Sequence, residues 1–446
     1  MNQASVDVVV LGAGLSGLSA ALYLQEQGKS VAVLEKKSEP GGVISSVKKG
    51  AYLLDFGANS SANHPALLAV LKLLGAENQL IDALAAAGNR YLVRDGKLHL
   101  VRPSPAFIWS TDLLSRKAKW RLAKEPFVRK KTVKGESVAD FFIRRLGPEA
   151  YAYMVEPVLG GIYAGDPHQM NMEAVMPQVM AWEQEHGSLF KGMTAARKNS
   201  PGPRTIHSFQ GGMQQLPRLM AEHLGTSMQY RQEVLSLRQE GDAFLIDSQG
   251  PEGKQRWQSK QVVWALPATQ GALLQELSGE AFQAMDQIPY VPMGMLFLAF
   301  PADKITQSRD GFGFLVPKLE SVNLLGAIWN SAIFADRAPE GSELFTLFVG
   351  GGRRPMEQKG DREEAFALAR KEFCQLMGIQ GEHDFEYWHF WEKAIPQYGE
   401  AHMGYRAIFD RAEQATPGLK LIGNFRAGVS VGDCLAAGQE AASALA

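Results

Sequence analysis

Cysteine is nearly missing from this chain. The two present in 446 residues, Cys374 and Cys434, have no metal-site, redox-pair or disulfide-framework spacing, which suits a reducing, cytoplasmic setting. Nine histidines are scattered without H-x3-H or HExxH spacing, so no metal centre is expected. Charge of one sign is not in excess: a net of -1 excludes a nucleic-acid binder that works through overall electrostatics. No window has the long charge-free apolar run of a spanning helix, and Met1 to Asp7 lacks the charged start of a secretion signal. Internal repeats and low-complexity linkers are missing too. With 46% hydrophobic residues the chain can bury large cores, enough for two or three domains.

What is present is sharper. Val8-Val9-Val10-Leu11 runs into Gly12-Ala13-Gly14-Leu15-Ser16-Gly17, and the next apolar run, Val31 to Leu34, stops on Glu35. Each glycine of such a turn has its own reason to lack a side chain. Gly12 permits the tight exit from the strand, Gly14 lets the backbone approach a pyrophosphate, and Gly17 lets the helix pack on the sheet. The predicted helix, Ser16 to about Gln27, points its amides and positive dipole end at the phosphates, and Glu35 meets the ribose hydroxyls. A bare strand-to-helix turn without ligand is the alternative; strand, helix, second strand and acid in this order favour a dinucleotide.

Beyond Glu35 the pattern is discontinuous. Pro40-Gly41-Gly42 leads to an alternating strand through Tyr52, Leu54 and Phe56 that ends in Gly57-Ala58-Asn59-Ser60, and a helix follows from Pro65 to Leu74. From about Arg90 to Pro203 the pattern is mostly helical, with breaks at Pro103, Pro105, Pro126, Gly147-Pro148 and Gly160-Gly161. Tyr230 to Leu237 reads as a strand, and Val262 to Leu266 as a buried strand stopped by Pro267. Strand-like runs then dominate from about Pro289 to His389, at Met293 to Phe300, Gly313 to Val316, Leu324 to Trp329 and Leu344 to Val349.

Between Arg116 and Lys134 stand nine basic residues and one acid, Glu125, interleaved with Trp120, Leu122, Phe127 and Val128. Such a segment either sits on an anionic bilayer surface or forms a solvated basic face. The sequence carries no signal for an oligomeric state.

Several longer motifs carry a resemblance. They are Tyr91 to Leu98 (Tyr-Leu-Val-Arg-Asp-Gly-Lys-Leu), Glu156 to Pro167 around Gly160-Gly161-Ile162-Tyr163-Ala164-Gly165, and Trp182 to Leu189. Gly311 to Pro317, Ala394 to Tyr398 and the C-terminal Gly423 to Cys434 segment complete the set. Over nearly its whole length the chain resembles the oxygen-dependent protoporphyrinogen oxidases, within the flavin-containing amine oxidase and desaturase superfamily.

The resemblance implies an α/β fold of p-hydroxybenzoate hydroxylase-like architecture. A discontinuous Rossmann-type FAD-binding domain would be made of residues 1–88, 205–268 and 399–446, with a helical, membrane-facing domain over 89–204 and a mixed-sheet substrate domain over 269–398. It implies non-covalent FAD, held at the pyrophosphate by Gly12, Ala13, Gly14, Leu15, Ser16 and Gly17, at the ribose by Glu35 and Lys36, and along the nucleotide by Gly42 and Val43. Gly57, Ala58, Asn59 and Ser60 would lie against the isoalloxazine, and Val234 would meet the adenine. Asn424, Val429, Ser430 and Val431 would surround the ring, with the last helix aiming its dipole at it. Val43 departs from the Gly-Gly-Arg of many amine oxidases, and no Ser-Gly-Gly-Cys-Tyr-type flavin attachment is present.

The implied reaction removes six electrons from a porphyrinogen, with O2 as acceptor and H2O2 as product. The cofactor performs the hard step, so no general base is assigned; Asn59 is the polar residue expected beside the flavin, or else caps its own turn. Arg94 would bind a substrate propionate, or else face water in an Arg-Asp-Gly turn. Leu315, Leu325 and Phe348 match the pocket leucines and stacking phenylalanine, or else are ordinary core. A coproporphyrinogen III oxidase is the nearest alternative, followed by an amine oxidase and by a non-enzymatic GDP dissociation inhibitor-like protein of the same fold.

Overall fold

The computed structural model describes residues 2–102, 105–198, 205–353 and 359–446; Pro103, Pro203 and the expected boundary at residue 204 lie outside the described residues. Val8–Leu11 and Val31–Glu35 are buried along their whole length, as strands covered on both faces must be, and they pair in parallel with Val8 opposite Val31. They sit in a five-stranded sheet ordered Met228–Tyr230, Val31–Glu35, Val8–Leu11, Gln261–Trp264, Leu419–Leu421. The first and last helices, Leu15–Glu26 and Val431–Ala444, cross on one face of this sheet. A Cβ on Gly438 would collide with the Ser16 carbonyl, and Ser19 Oγ donates to the Leu435 carbonyl at 2.7 Å, so the two chain ends are packed backbone to backbone.

The opposite face carries a four-stranded sheet, ordered Asn2–Ser5, Gly253–Ser259, Ala243–Gly250, Glu233–Glu240, through Phe244, Ile246 and Trp257. Tyr230 to Leu237, expected as one strand, is thus two. Arg231 takes a positive φ of 55° and breaks the run, sending Met228–Tyr230 to the parallel sheet and Glu233–Glu240 to the other.

A second core belongs to a seven-stranded sheet ordered Phe385–Pro396, Tyr290–Pro301, Ser342–Gly350, Leu324–Trp329, Gly313–Leu315, Arg90–Arg94, Lys97–Val101. Alternation sorts its faces. Phe345, Leu347 and Val349 pack with Phe366, Phe373 and Met377 of the helix Lys359–Met377, while Leu344 and Phe348 turn to Leu54 and Phe56 of the strand Tyr52–Phe56. The last two strands correct an expectation. Residues 90–101, placed in the helical segment, form a hairpin turned by Asp95 and Gly96, and its edge pairs with Gly313–Leu315, Leu92 opposite Leu315. Pairing across more than two hundred residues leaves no local trace.

The helical lobe is tied by buried charge. Arg145 and Glu125 are both fully buried and paired with each other, and Arg145 Nη1 also reaches Glu183 at 3.3 Å. Arg144 makes bidentate bonds to Glu136 at 2.8 and 2.9 Å and to Glu183 at 2.7 and 3.0 Å. The one acid of the basic stretch, Glu125, therefore turns inward.

Candidate functional site

The strand ends Leu11, Glu35, Trp264 and Leu421 come out along one edge of the parallel sheet. Gly12 leaves the first strand at φ 99°, under the Ala265 carbonyl, and a Cβ on Gly17 would fall onto the Gly12 carbonyl oxygen. Gly14 differs: its Cβ position is open, and Gly42 faces it, the ideal Gly42 Cβ lying 3.4 Å from the Gly14 Cα. Gly14 caps the helix with no side-chain hydrogen bond and no acid follows in the first turn, so the amides after it keep their donors for an anion. Open space over Gly14 and uncapped amides fit a dinucleotide pyrophosphate.

Glu35 is buried and braces this turn, accepting from the Ala13 amide and the Lys37 amide at 2.8 Å each through different oxygens. Each oxygen keeps a lone pair for a ribose hydroxyl. Lys36 turns outward to Glu233 at 2.7 Å, which brings the Val234 strand beside the acid; Gln232 N donates to the Glu35 carbonyl at 2.8 Å.

At the turn expected to lie against the isoalloxazine, Gly57, at φ 79°, packs on the Val43 carbonyl, and Gly57, Ala58 and Ser60 are partly exposed, as is Val43 at 45%. Asn59 is buried, and its Oδ1 accepts from Asn330 Nδ2 at 3.2 Å, while Asn330 Oδ1 accepts from Thr346 Oγ1 at 2.8 Å. Asn59 is thus tied to the strand that bears Phe348. Asn424 gives its carbonyl to the Tyr398 hydroxyl, Val429 packs with Tyr163, Tyr398 and Ile395, and Ser430 caps the last helix in a capping box with Asp433. The Asp433 carboxylate therefore sits at the helix end expected to aim its dipole at the ring.

The acid-base character is low. Burial pushes the Tyr163 phenol up to about 12 and the Cys434 thiol up to about 11, and burial followed by Lys37 lowers His389, which lies between the Phe56 and Trp391 rings at 5.1 and 4.5 Å. These groups stay neutral at pH 7. The described residues hold no cluster of metal-ligating side chains.

Of the expected substrate residues, Phe348 is partly exposed on the sheet face toward Phe56. Leu315 is partly exposed between Gly161 and Gly326, whose added Cβ atoms would both strike it, and Leu325 is buried, its carbonyl accepting from Val316 N at 3.0 Å. Arg94 is only partly exposed. It donates to the Leu113 carbonyl, lies 3.5 Å from Glu149, and covers the Tyr153 ring at 4.5 Å.

Sequence reasoning missed the partners that hold these residues. Asp55 and Arg337 are buried and 3.2 Å apart; Asp55 also accepts from Ser46 Oγ at 2.6 Å and Met213 N at 2.9 Å, and Arg337 donates to Ser208 Oγ at 2.6 Å. Nothing local marked Asp55, Arg337, Asn330, Thr346 or Glu149 as partners.

Comparison with known proteins gives one family. The model of the flavin-containing amine oxidoreductases matches residues 15–446. Protoporphyrinogen oxidase 2, chloroplastic/mitochondrial, of Arabidopsis thaliana is 30% identical over 98% of this chain and 92% of its own length. Coproporphyrinogen III oxidase of Bacillus subtilis is 26% identical over 99% and 98%. Among solved structures, a candidate protoporphyrinogen oxidase of Exiguobacterium sp. 255-15 superposes with a TM-score of 0.80 at 20% identity, covering 100% of this chain and 98% of its own. The cyclohexylamine oxidase of Brevibacterium oxydans gives 0.70 at 18%, covering 99% and 98%, which is likeness of fold. A cradle shaped for a dinucleotide and a family match over almost every residue lead to one conclusion: the chain belongs to the flavin-containing amine oxidoreductases and is an FAD-dependent oxidoreductase.

Proposed function

We propose that this protein oxidises protoporphyrinogen IX to protoporphyrin IX, using O2 and releasing H2O2, in haem biosynthesis. The observation that supports this reading is the link from Asn59 through Asn330 and Thr346 to the strand that bears Phe348. Phe348 and Leu315 are partly exposed apolar side chains of this sheet, and Leu315 pairs with Leu92, two residues before Arg94 on the Arg90–Arg94 strand. An apolar macrocycle with propionates on one edge suits that arrangement. Bound FAD takes two electrons per cycle, so three cycles and three O2 remove the six electrons and yield three H2O2. The residues supply the rest: Phe348 and Leu315 keep water out, Arg94 holds the propionate edge, and Asn59, fixed by Asn330, orients the reacting side.

Anaerobically prepared protoporphyrinogen IX and coproporphyrinogen III, mixed with holoenzyme and O2 and followed by porphyrin fluorescence, test this. Higher catalytic efficiency on protoporphyrinogen is expected. Equal or higher efficiency on coproporphyrinogen, the substrate named for the Bacillus subtilis relative, would replace the substrate assignment.

We also infer that the face formed by residues 105–134 rests on an anionic membrane surface, making this a cytoplasmic protein peripheral to the membrane. Phe127 is 85% exposed, Trp120 62% and Trp109 51%, and with Glu125 buried the outward charges of Arg116 to Lys134 are all basic. No described helix is long and apolar enough to cross a membrane. Phosphatidylglycerol vesicles should retain the protein at low salt and release it at high salt, and Lys130→Glu with Lys131→Glu should lower retention by at least about thirtyfold, at about 1 kcal/mol for each lysine lost. Equal retention on phosphatidylcholine would leave no role for the basic face.

A further inference from the structure

Contacts lead from the pyrophosphate cradle to Asn59. A Cβ on Gly42 would lie 3.4 Å from the Gly14 Cα, and one on Gly57 would lie 2.6 Å from the Val43 carbonyl oxygen, so a dinucleotide that runs from Gly14 along Gly42 and Val43 arrives at the turn holding Asn59. Asn59 is only 7% exposed, and its amide nitrogen donates to no described residue. The hydrogen bonds behind it are directed from the far end. Thr346 is fully buried, and its hydroxyl has one partner among the described residues, Asn330 Oδ1 at 2.8 Å. If the hydroxyl accepted there instead of donating, its proton would be unpaired in a dry core. Asn330 therefore turns its nitrogen to Asn59 and donates to Asn59 Oδ1 at 3.2 Å. With that oxygen taken, Asn59 presents N–H to whatever lies before it. Thr346 and Phe348 stand two residues apart on one strand and point to the same sheet face, so the Asn59 chain and the partly exposed Phe348 ring share a side.

We infer that Asn330 and Thr346 are positioning residues that hold Asn59 as a fixed hydrogen-bond donor toward the flavin, so that Asn59 stabilises the negative charge of the reduced ring and takes no proton from the substrate. A donor aimed where charge develops is most effective when it needs no rearrangement, and a buried hydroxyl-amide chain supplies that rigidity. The inference rests on the placing of FAD against residues 57–60 and is independent of which porphyrinogen is oxidised.

The test measures the two-electron reduction potential of the flavin against a reference dye, under anaerobic conditions, in the wild-type holoenzyme and in Asn59→Leu, Asn330→Leu, Thr346→Val and Thr346→Ser. Asn330→Leu removes the donor to the Asn59 oxygen, and Thr346→Val frees the Asn330 amide to reverse. Asn59→Leu and Asn330→Leu should each shift the flavin-dye equilibrium toward oxidised flavin by roughly tenfold, about 30 mV for a two-electron couple. Thr346→Val should shift it in the same direction, and Thr346→Ser, which keeps the hydroxyl, should hold the wild-type value. With protoporphyrinogen the loss should fall on kcat and leave KM within about twofold. A potential moved by Asn59→Leu but by neither Asn330→Leu nor Thr346→Val overturns the positioning role and leaves the flavin placement standing, even where those variants lose thermal stability. A potential unmoved by Asn59→Leu overturns both. Thr346→Val, which exchanges one hydroxyl for a methyl, decides alone where Asn330→Leu fails to hold FAD. Oxidation of neither porphyrinogen by the wild type overturns the proposed function and not this inference, which the potentials decide.

Discussion

Gly14→Val gives a folded protein that purifies without flavin. The Gly14 Cβ position meets nothing in the protein, and its backbone, at φ -73° and ψ 170°, is one any residue adopts. Folding therefore tolerates the side chain, and only a phosphate brought close to the backbone would meet it. Losing two charge-assisted hydrogen bonds of about 1.5 kcal/mol each lowers FAD affinity about a hundredfold. Circular dichroism and the absorbance near the flavin band separate the outcomes: native secondary structure without yellow colour is expected. A yellow Gly14→Val protein with wild-type FAD affinity would mean that the pyrophosphate lies elsewhere. Gly17→Val is the contrast, because its Cβ would fall on the Gly12 carbonyl and disrupt the apoprotein as well.

Arg337→Met should be the most damaging single change outside the cofactor cradle. It leaves Asp55 buried without its cation, and breaking a buried pair from one side costs about 3 to 5 kcal/mol, a large share of a folded protein's stability. Asp55 lies two residues before Gly57, so the turn expected to face the flavin loosens with it and flavin release should begin at lower temperature. The pH dependence has a definite sign. Burial already pushes the Asp55 carboxyl up, against Arg337 and Ser46, and without Arg337 it rises further. The folded variant then binds a proton that the unfolded chain releases, so its deficit is largest at neutral pH and shrinks as the carboxyl protonates in acid. Asp55→Asn with Arg337→Met should recover much of the loss, since both charges are gone. Flavin fluorescence on heating reads all three proteins, and a wild-type transition for Arg337→Met at pH 7 would contradict the account.

Legibility in the sequence followed the range of the interactions. The helix Pro65–Leu74 and the strand Leu324–Trp329 fall where their patterns predict, because periodicity and flanking turn residues act within a few positions. The Arg90–Val101 hairpin misled because a hairpin's own sequence does not say which sheet its edge joins. Tyr230 to Leu237 misled because one left-handed residue, Arg231, redirects a chain whose composition stays strand-like. Arg94 was identified as a charged residue at a turn, but its Glu149 partner comes from another element fifty-five positions later.

By itself the sequence pointed to a dinucleotide: Gly12, Gly14 and Gly17, through their backbone, and Glu35, through its carboxylate, belong to one strand-turn-helix-strand unit, and that arrangement is local. Only the tertiary structure decided which buried polar groups meet. Asn59 meets Asn330 across 271 positions, Asp55 meets Arg337, and Glu125 is drawn inward to Arg145, leaving the basic face unopposed. Such polar partners are selected by burial, which makes an unpaired group costly, and burial is a property of the assembled chain.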